Sequence, residues 1–140
     1  MRDERGRVAA GMRGVVLAVA VLTLATGCIW QQQTLSRADI VGTWTEGDTG
    51  TGTLHFKDDG TVVVTNLAVF SNETDNVVKV SECSGTGTWW LYPDDKEAQK
   101  LGTSVCDGSP WEFGGSKAHP KMRALVGDPS YGKYQTLSRE

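Results

Sequence analysis

The chain has 140 residues, with 17 acidic and 14 basic side chains and a formal net charge of −3. This length suits one domain with a modest core. The acidic balance disfavours nucleic acids and anionic lipid headgroups as partners, because like charges repel. Recognised nucleophile, phosphate-loop and metalloprotease motifs are absent from the sequence, so we expect a protein that is not an enzyme and needs no cofactor or metal.

The first 28 residues have the pattern of a bacterial lipoprotein signal. Basic residues precede an uncharged apolar stretch over 14–25, which is shorter than the ~20 residues a membrane-spanning helix needs. Leu24-Ala25-Thr26-Gly27 then leads directly into Cys28, and small residues before a cysteine are typical of a lipobox. We therefore predict a signal peptide over 1–27, lipidation of Cys28, and attachment to the extracytoplasmic face of the membrane. The alternative is ordinary signal-peptidase cleavage, with Cys28 free or in a disulfide bond.

The next residues are polar and lack periodicity, so we predict a tether over 28–38 and a folded domain over 39–140. From there onward, short segments alternate between apolar and polar residues, which is typical of β-strands. Candidate strands lie at 43–45, 51–57, 61–67, 77–80, 85–92, 101–106, 111–113, 122–126 and 134–137. The turn Asp58-Asp59-Gly60 predicts a tight hairpin.

About eight short strands with tight connections favour an all-β fold, a small antiparallel up-and-down barrel, with a β-sandwich as the alternative. A barrel of eight strands is filled by its side chains or holds one small ligand. With Cys28 lipidated, Cys83 and Cys106 remain as a pair. Because thiols oxidise outside the cell, we expect them to form a disulfide.

The apolar positions of the strands define a candidate ligand-binding lining. Neighbouring residues of a strand point to opposite faces, so Trp89 and Leu91 face one way and Trp90 and Tyr92 the other. The outward pair Trp90 and Tyr92 forms a candidate surface patch, unless a loop covers it. The predicted interior lining comprises Trp44, Leu54, Phe56, Val62, Val64, Trp89 and Leu91, although core packing explains Trp44 and Trp89 better than ligand binding does.

Two resemblances extend this interpretation. Gly42-Thr43-Trp44 is similar to the Gly-x-Trp that starts the first strand of lipocalins and other calycins, which implies that Trp44 packs across the closed end of a barrel. The order of Gly42-Thr43-Trp44, Asp59-Gly60-Thr61, Gly85-Thr86-Gly87-Thr88-Trp89 and Gly127-Asp128-Pro129 resembles small secreted lipoproteins of Streptomyces-type actinobacteria. That group has no assigned function, and the resemblance transfers no catalytic residue.

The sequence therefore supports two functional hypotheses. The first is a lipid-anchored barrel that binds a small apolar or amphipathic molecule in a cavity. The second is a structural or protein-interaction lipoprotein of the cell envelope, with a solid core and a functional surface around Trp90 and Tyr92. A cavity or a completely filled interior distinguishes the two.

Overall fold

The strands of this protein form one closed barrel. The computed structural model describes residues 30–47, 50–71, 77–93, 98–106 and 110–140. Within these residues, eight antiparallel strands follow one another around the barrel, and β8 closes it against β1. The strands are β1 Gly42–Glu46, β2 Thr53–Phe56, β3 Thr61–Phe70, β4 Lys79–Leu91, β5 Lys100–Thr103, β6 Trp111–Gly115, β7 Pro120–Leu125 and β8 Tyr134–Arg139. The predicted up-and-down barrel is confirmed, and the sandwich is excluded because a single sheet closes on itself.

The largest difference from the predicted strands concerns β4. The separate candidates at 77–80 and 85–92 are parts of one strand, Lys79–Leu91, which pairs with β3 along both lengths. The polar residues between them are compatible with a strand because this part of β4 is exposed on both faces. β3 and β4, with 10 and 13 residues, are therefore the longest strands that the structure describes.

The alternation within strands places the core as predicted. Leu54 and Phe56 are buried while His55 between them is exposed, and Trp89 is buried while Trp90 is 40% exposed. The hairpin at Asp58-Asp59-Gly60 forms as expected, with Gly60 at a φ of +87°, a conformation that glycine adopts without steric strain. In these segments, period two therefore predicts correctly which side chains face the interior.

The segment before the barrel is packed rather than free. Gln32 pairs with Gly114, the backbone N–H of Gln33 donates to the carbonyl of Phe113, and Leu35 exchanges two hydrogen bonds with the side chain of Gln99. Leu35 is buried against the core. The prediction of a tether is therefore wrong for the described residues 30–38, because these contacts join them to the folded domain. Residues 28 and 29 lie outside the described residues.

A short helix closes one end of the barrel. Helix α1 spans Arg37–Ile40, and Ser36 and Asp39 form a reciprocal capping box at its N-terminus. Ile40 is fully buried, and its carbonyl accepts a hydrogen bond from the indole N–H of Trp44 at 2.9 Å. We call this end, where α1 and the β2–β3, β4–β5 and β6–β7 connections lie, the closed end, and the opposite end the mouth.

Candidate functional site

The interior of the barrel is filled at the closed end and hollow at the mouth. A cavity of about 520 Å³ lies between the mouth ends of the strands. Such a volume falls within the range of sites that hold small organic molecules. Its lining residues are Leu54, Val64, Leu67, Ala68, Val69, Phe70, Thr103, Val105, Cys106, Trp111, Ala124, Leu125, Val126, Gly127, Asp128 and Gln135.

The predicted lining divides between the two ends. Leu54 and Val64 line the cavity. By contrast, the buried side chains of Trp44, Phe56, Val62 and Trp89 belong to the core and not to the cavity wall. Leu91 is half-buried and packs against that core cluster.

Aromatic rings fill the closed end. Trp44 lies 6.0 Å from Phe113, and Phe56 lies 5.5 Å from Trp89 in an edge-to-face arrangement, both measured between ring centroids. Edge-to-face pairs add to the stability that burial alone provides. Arg37 of α1 covers the outer side of Trp89 with its guanidinium 4.2 Å from the ring centroid. Trp44 therefore occupies the position that the Gly-x-Trp resemblance implies.

A bulge in β3 shapes one wall of the cavity. The register of β3 with β4 shifts between Val64 and Leu67, and Asn66 adopts a left-handed φ of +49°. The Ser84 hydroxyl accepts a hydrogen bond from the Asn66 backbone N–H at 2.8 Å. Because a bulge adds one residue to a strand, it re-aims the side chains that follow. Leu67 and its neighbour Ala68 are consequently both buried and both line the cavity.

The cavity wall is held from behind by a buried carboxylate. Glu46 at the end of β1 is 5% exposed and accepts hydrogen bonds from the backbone N–H groups of Gly52 and Ala68, at 2.9 and 3.2 Å. It also accepts from the side-chain amide of Gln135, which donates a further bond to the carbonyl of Ala68 at 3.0 Å. A Cβ on Gly52 would lie 2.6 Å from both Glu46 Oε2 and the backbone of Leu67, so only glycine permits this close approach. The network fixes Gln135, which lines the cavity, to β1 and to the bulge.

The disulfide lies at the mouth. Cys83 and Cys106 are bonded, as predicted, and Cys106 lines the cavity with a left-handed φ of +63°. The bond links β4 to the segment that follows β5 and so anchors part of the rim. Thr103, also in the wall, donates its hydroxyl to the carbonyl of Val105 at 3.1 Å.

Polar groups also form part of the cavity wall, among them the side chains of Thr103, Asp128 and Gln135. Asp128 is exposed at the rim and accepts a hydrogen bond from the backbone N–H of Ser130 at 2.7 Å. The hydrogen bonds that the side chain and backbone of Ser130 provide lower the pKa of Asp128 below its ordinary value of 3.8, so it is a carboxylate at neutral pH. The indole N–H of Trp111 is buried and has no hydrogen-bond partner among the described residues.

Several of these functional candidates are absent from the sequence-based prediction. Glu46 and Gln135 are polar residues at inward-facing strand positions, where period two alone expects apolar ones. Trp111 opens a predicted strand, but its side-chain direction depends on its partner strand. A polar residue at an inward-facing strand position could have pointed to this part of the site, because a buried glutamate requires hydrogen-bond donors around it.

The candidate surface patch lies on the outer face, away from the cavity. Trp90 and Tyr92 are 40% and 41% exposed, and their ring centroids are 6.1 Å apart. Trp90 lies flat across Gly102 of β5, where a Cβ would come within 2.5 Å of its ring. The patch is thus partly accounted for by packing across the strand pair.

Comparisons of the chain with protein-family models, with curated proteins and with solved structures find no match. Among the residues that the structure describes, no helix has the length and apolar character to cross a membrane. The described part of the chain also holds no group of three or more His, Cys, Asp or Glu side chains placed to bind a metal ion.

Proposed function

We propose that this protein is a lipid-anchored, extracytoplasmic barrel that binds a small apolar or amphipathic molecule in the mouth cavity. The observation that supports this function best is the cavity itself, about 520 Å³ in volume and lined by aliphatic and aromatic side chains together with polar groups. Small-molecule sites combine such walls with a few fixed polar groups. The proposal assigns binding rather than catalysis, because the sequence carries no recognised catalytic motif.

The mouth is built as a preorganised site. The disulfide holds the rim next to β4, and the Glu46 network holds Gln135 against the bulge. Binding to a rigid site loses less conformational entropy than binding to a site that must first order its side chains. These contacts therefore favour a cavity that exists before the ligand arrives.

The location follows from the sequence. Cys28 lies outside the described residues, and its lipobox-like context supports a membrane anchor in which two acyl chains give stable attachment. The Cys83–Cys106 pair supports an oxidising compartment. We accordingly propose that the barrel stands on the outer face of the membrane and takes its ligand from that side, with no role for nucleic acid.

Native mass spectrometry of the protein extracted from its own membranes tests this function. We expect a stoichiometric extra mass that disappears on denaturation. Ala124→Phe, which fills the cavity from β7, should lose this mass, while Ser138→Phe, on the outer face of β8, should retain it. Absence of any extra mass, together with failure of the purified barrel to bind the uncharged dye Nile red, would overturn the proposal.

The alternative function is that of an envelope protein that interacts through its surface. The exposed Trp90 and Tyr92 support this alternative. However, the alternative predicts a solid core, which does not agree with the cavity. Crosslinking in whole cells with wild type and Trp90→Ala distinguishes the two. A specific crosslinked protein lost in Trp90→Ala, with no carried small molecule, would favour the alternative.

A further inference from the structure

The segment before the barrel is fixed to the outer face of β6. The ring of Trp30 lies across Gly114 so closely that a Cβ at this position would overlap it. Gln33 then donates its backbone N–H to the carbonyl of Phe113 at 3.0 Å and its side-chain amide to the carbonyl of Gly115 at 3.1 Å. These contacts place Trp30 on one side of the barrel, at β6.

An arginine holds Trp30 in this place. The guanidinium carbon of Arg123, on β7, lies 4.3 Å from the ring centroid of Trp30 and 3.9 Å from that of Tyr134, on β8. The carboxylate of Glu112 lies 3.4 Å from Arg123 Nε. Cation–π contacts stabilise such an arrangement, more so where the cation is partly withdrawn from water. We call Trp30, Glu112, Arg123 and Tyr134 the outer clamp, which fixes Trp30 relative to three strands.

The outer clamp limits how far the proposed lipid anchor can be from the barrel. Cys28 precedes Trp30 by two residues, which span at most about 7 Å when fully extended. A free tether over 28–38 would instead reach about 35 Å. Acyl chains on Cys28 therefore start beside β6, and the side of the barrel that carries the outer clamp is the side held at the membrane.

The outward residues next to the outer clamp suit contact with phospholipid headgroups. Lys121 and Leu125 point outward from β7 on either side of Arg123, and both are exposed. A lysine can lay its aliphatic stem on an apolar surface while its ammonium reaches a phosphate, and tryptophan and tyrosine are enriched at membrane interfaces. Lys121 has no ion-pair partner among the residues that the structure describes, so its charge is available to a headgroup.

The charge of this face differs from that of the whole chain. The outward charged residues of β6, β7 and β8 are Glu112, Lys121 and Arg123, one acid and two bases. The acidic balance of the chain therefore does not apply here, and basic residues near an anionic membrane surface are attracted to it. On the opposite side of the barrel, the outward residues of β2 and of the first half of β3 include no Lys, Arg, Asp or Glu: they are Thr53, His55, Thr61, Val63 and Thr65.

We propose, resting on the lipidation of Cys28 proposed above, that the outer face of β6–β8 lies against the phospholipid headgroups of the membrane that holds the anchor, with Lys121 at the lipid phosphates. The barrel then lies with this side on the membrane surface and does not stand on a flexible stalk. Leu125 belongs both to this face and to the cavity lining, so the contact brings the rim of the mouth to the membrane.

Lysine acetylation by a water-soluble, membrane-impermeant reagent tests this orientation. The full lipidated protein is reconstituted in equimolar vesicles of phosphatidylcholine and phosphatidylglycerol, and mass spectrometry reads the ratio of Lys121 to Lys57 acetylation. Lys57 is the internal reference, because it is exposed directly after β2, four strands from β6 in the barrel.

The comparison variant carries a Gly-Ser linker of about 20 residues between Ile29 and Trp30, with an r.m.s. length of about 25 Å. This length lets the barrel leave the Debye layer of the membrane, which is about 8 Å deep at physiological salt. We expect the ratio to be at least about threefold lower in wild type, since a surface potential of about −30 mV raises the local proton concentration by that factor and keeps the amine protonated and unreactive. The same linker appended after Glu140 is the control and should leave the wild-type ratio.

The intact mass of the same samples shows whether Cys28 carries acyl chains. If the acyl chains are present and the linker before Trp30 leaves the ratio unchanged or lowers it, the inference is overturned while the proposed location stands. If they are absent, the proposed location is overturned together with the inference. Small-molecule binding in the cavity is measured separately, as the extra mass in native mass spectrometry, and neither result affects it.

Discussion

The two ends of the barrel are built from different chemistry. At the closed end, aromatic rings interlock, and the indole N–H groups of Trp44 and Trp89 are paired with backbone carbonyls. At the mouth, aliphatic walls surround a cavity, and the N–H of Trp111 is left unpaired. Unpaired donors are not confined to the mouth, because the buried N–H of Trp30 over Gly114 of β6 also lacks a partner among the described residues. The comparison shows that aromatic packing is concentrated at the closed end, whereas the mouth encloses the cavity.

The backbone shows the same division. The closed end uses a capped helix and a regular hairpin turn. Both non-glycine residues with left-handed φ in the described chain, Asn66 and Cys106, lie at the mouth beside the disulfide. Such conformations persist where surrounding contacts enforce them, and they concentrate at functional sites.

The largest expected effect comes from the closed end. Trp44→Ala removes a fully buried ring and the hydrogen bond to Ile40, and should lower the free energy of unfolding by about 3–5 kcal/mol. Urea unfolding followed by circular dichroism measures the loss. Trp90→Ala, with a 40% exposed ring, is the control and should cost far less. Similar losses in the two variants would contradict the assignment of the closed end as the main source of stability.

At the mouth, the largest contribution comes from the disulfide. The double variant Cys83→Ser, Cys106→Ser should lose about 3 kcal/mol of unfolding free energy, because the bond restricts the unfolded chain. Urea unfolding of this variant and of wild type, each with and without reductant, separates the effect of the disulfide on stability from the effect of the substitutions. Reductant should destabilise wild type alone. If it leaves wild type unchanged, the rim does not depend on the covalent link.

A smaller loss is expected at the buried carboxylate. Glu46→Gln replaces one acceptor oxygen by a donor amide. At the Oε2 position this amide would face the N–H groups of Gly52 and Ala68, and at the Oε1 position it would face the side-chain amide of Gln135, so at least one donor loses its acceptor in either orientation. We expect destabilisation of about 1–3 kcal/mol. Thermal unfolding measures it, with the exposed substitution Glu82→Gln as control. Unchanged stability would show that Glu46 does not organise the mouth.

The smallest effect compares the pH response of the two ends. Side-chain and backbone hydrogen bonds from Ser36 lower the pKa of Asp39 at the closed end, and those from Ser130 lower the pKa of Asp128 at the mouth, both below 3.8. A carboxyl group whose pKa is lower in the folded than in the unfolded state stabilises the fold at pH values above its unfolded-state pKa. That stabilisation is lost as the pH falls through the folded-state pKa. Unfolding free energies between pH 5 and pH 2.5 should therefore decline less in Asp39→Asn and in Asp128→Asn than in wild type. An identical decline in all three proteins would exclude these caps as acid-sensitive contacts.

Much of the barrel can be predicted from local pattern. Period two separates Leu54 and Phe56 from His55, and Trp89 from Trp90, because successive side chains of a strand point to opposite faces. Asp58-Asp59-Gly60 marks its turn by composition. The pattern fails for residues 30–38, where polar residues suggested a free tether. Their anchoring depends on Gln99 and Phe113, which are more than 60 residues away in the chain.

The candidate site is less predictable. Alternation shows which side chains point inward but not how far each lies along the barrel axis. Leu54 and Phe56 are two residues apart on one face, about 7 Å along the strand, and only Leu54 reaches the cavity. Glu46 and Gln135 are separated by 89 positions, and they meet only because β8 pairs with β1.

By itself, the sequence determined the strand character of the chain, the inward and outward faces, the Cys83–Cys106 pair and the turn at Gly60, because each depends on residue type and local spacing. Only the tertiary structure decided that the barrel is filled at one end and hollow at the other. Strand register sets the height of every inward side chain, and register is a property of paired strands rather than of any one segment. The unpaired N–H of Trp111 follows from the same cause, since its surroundings are assembled from several different strands.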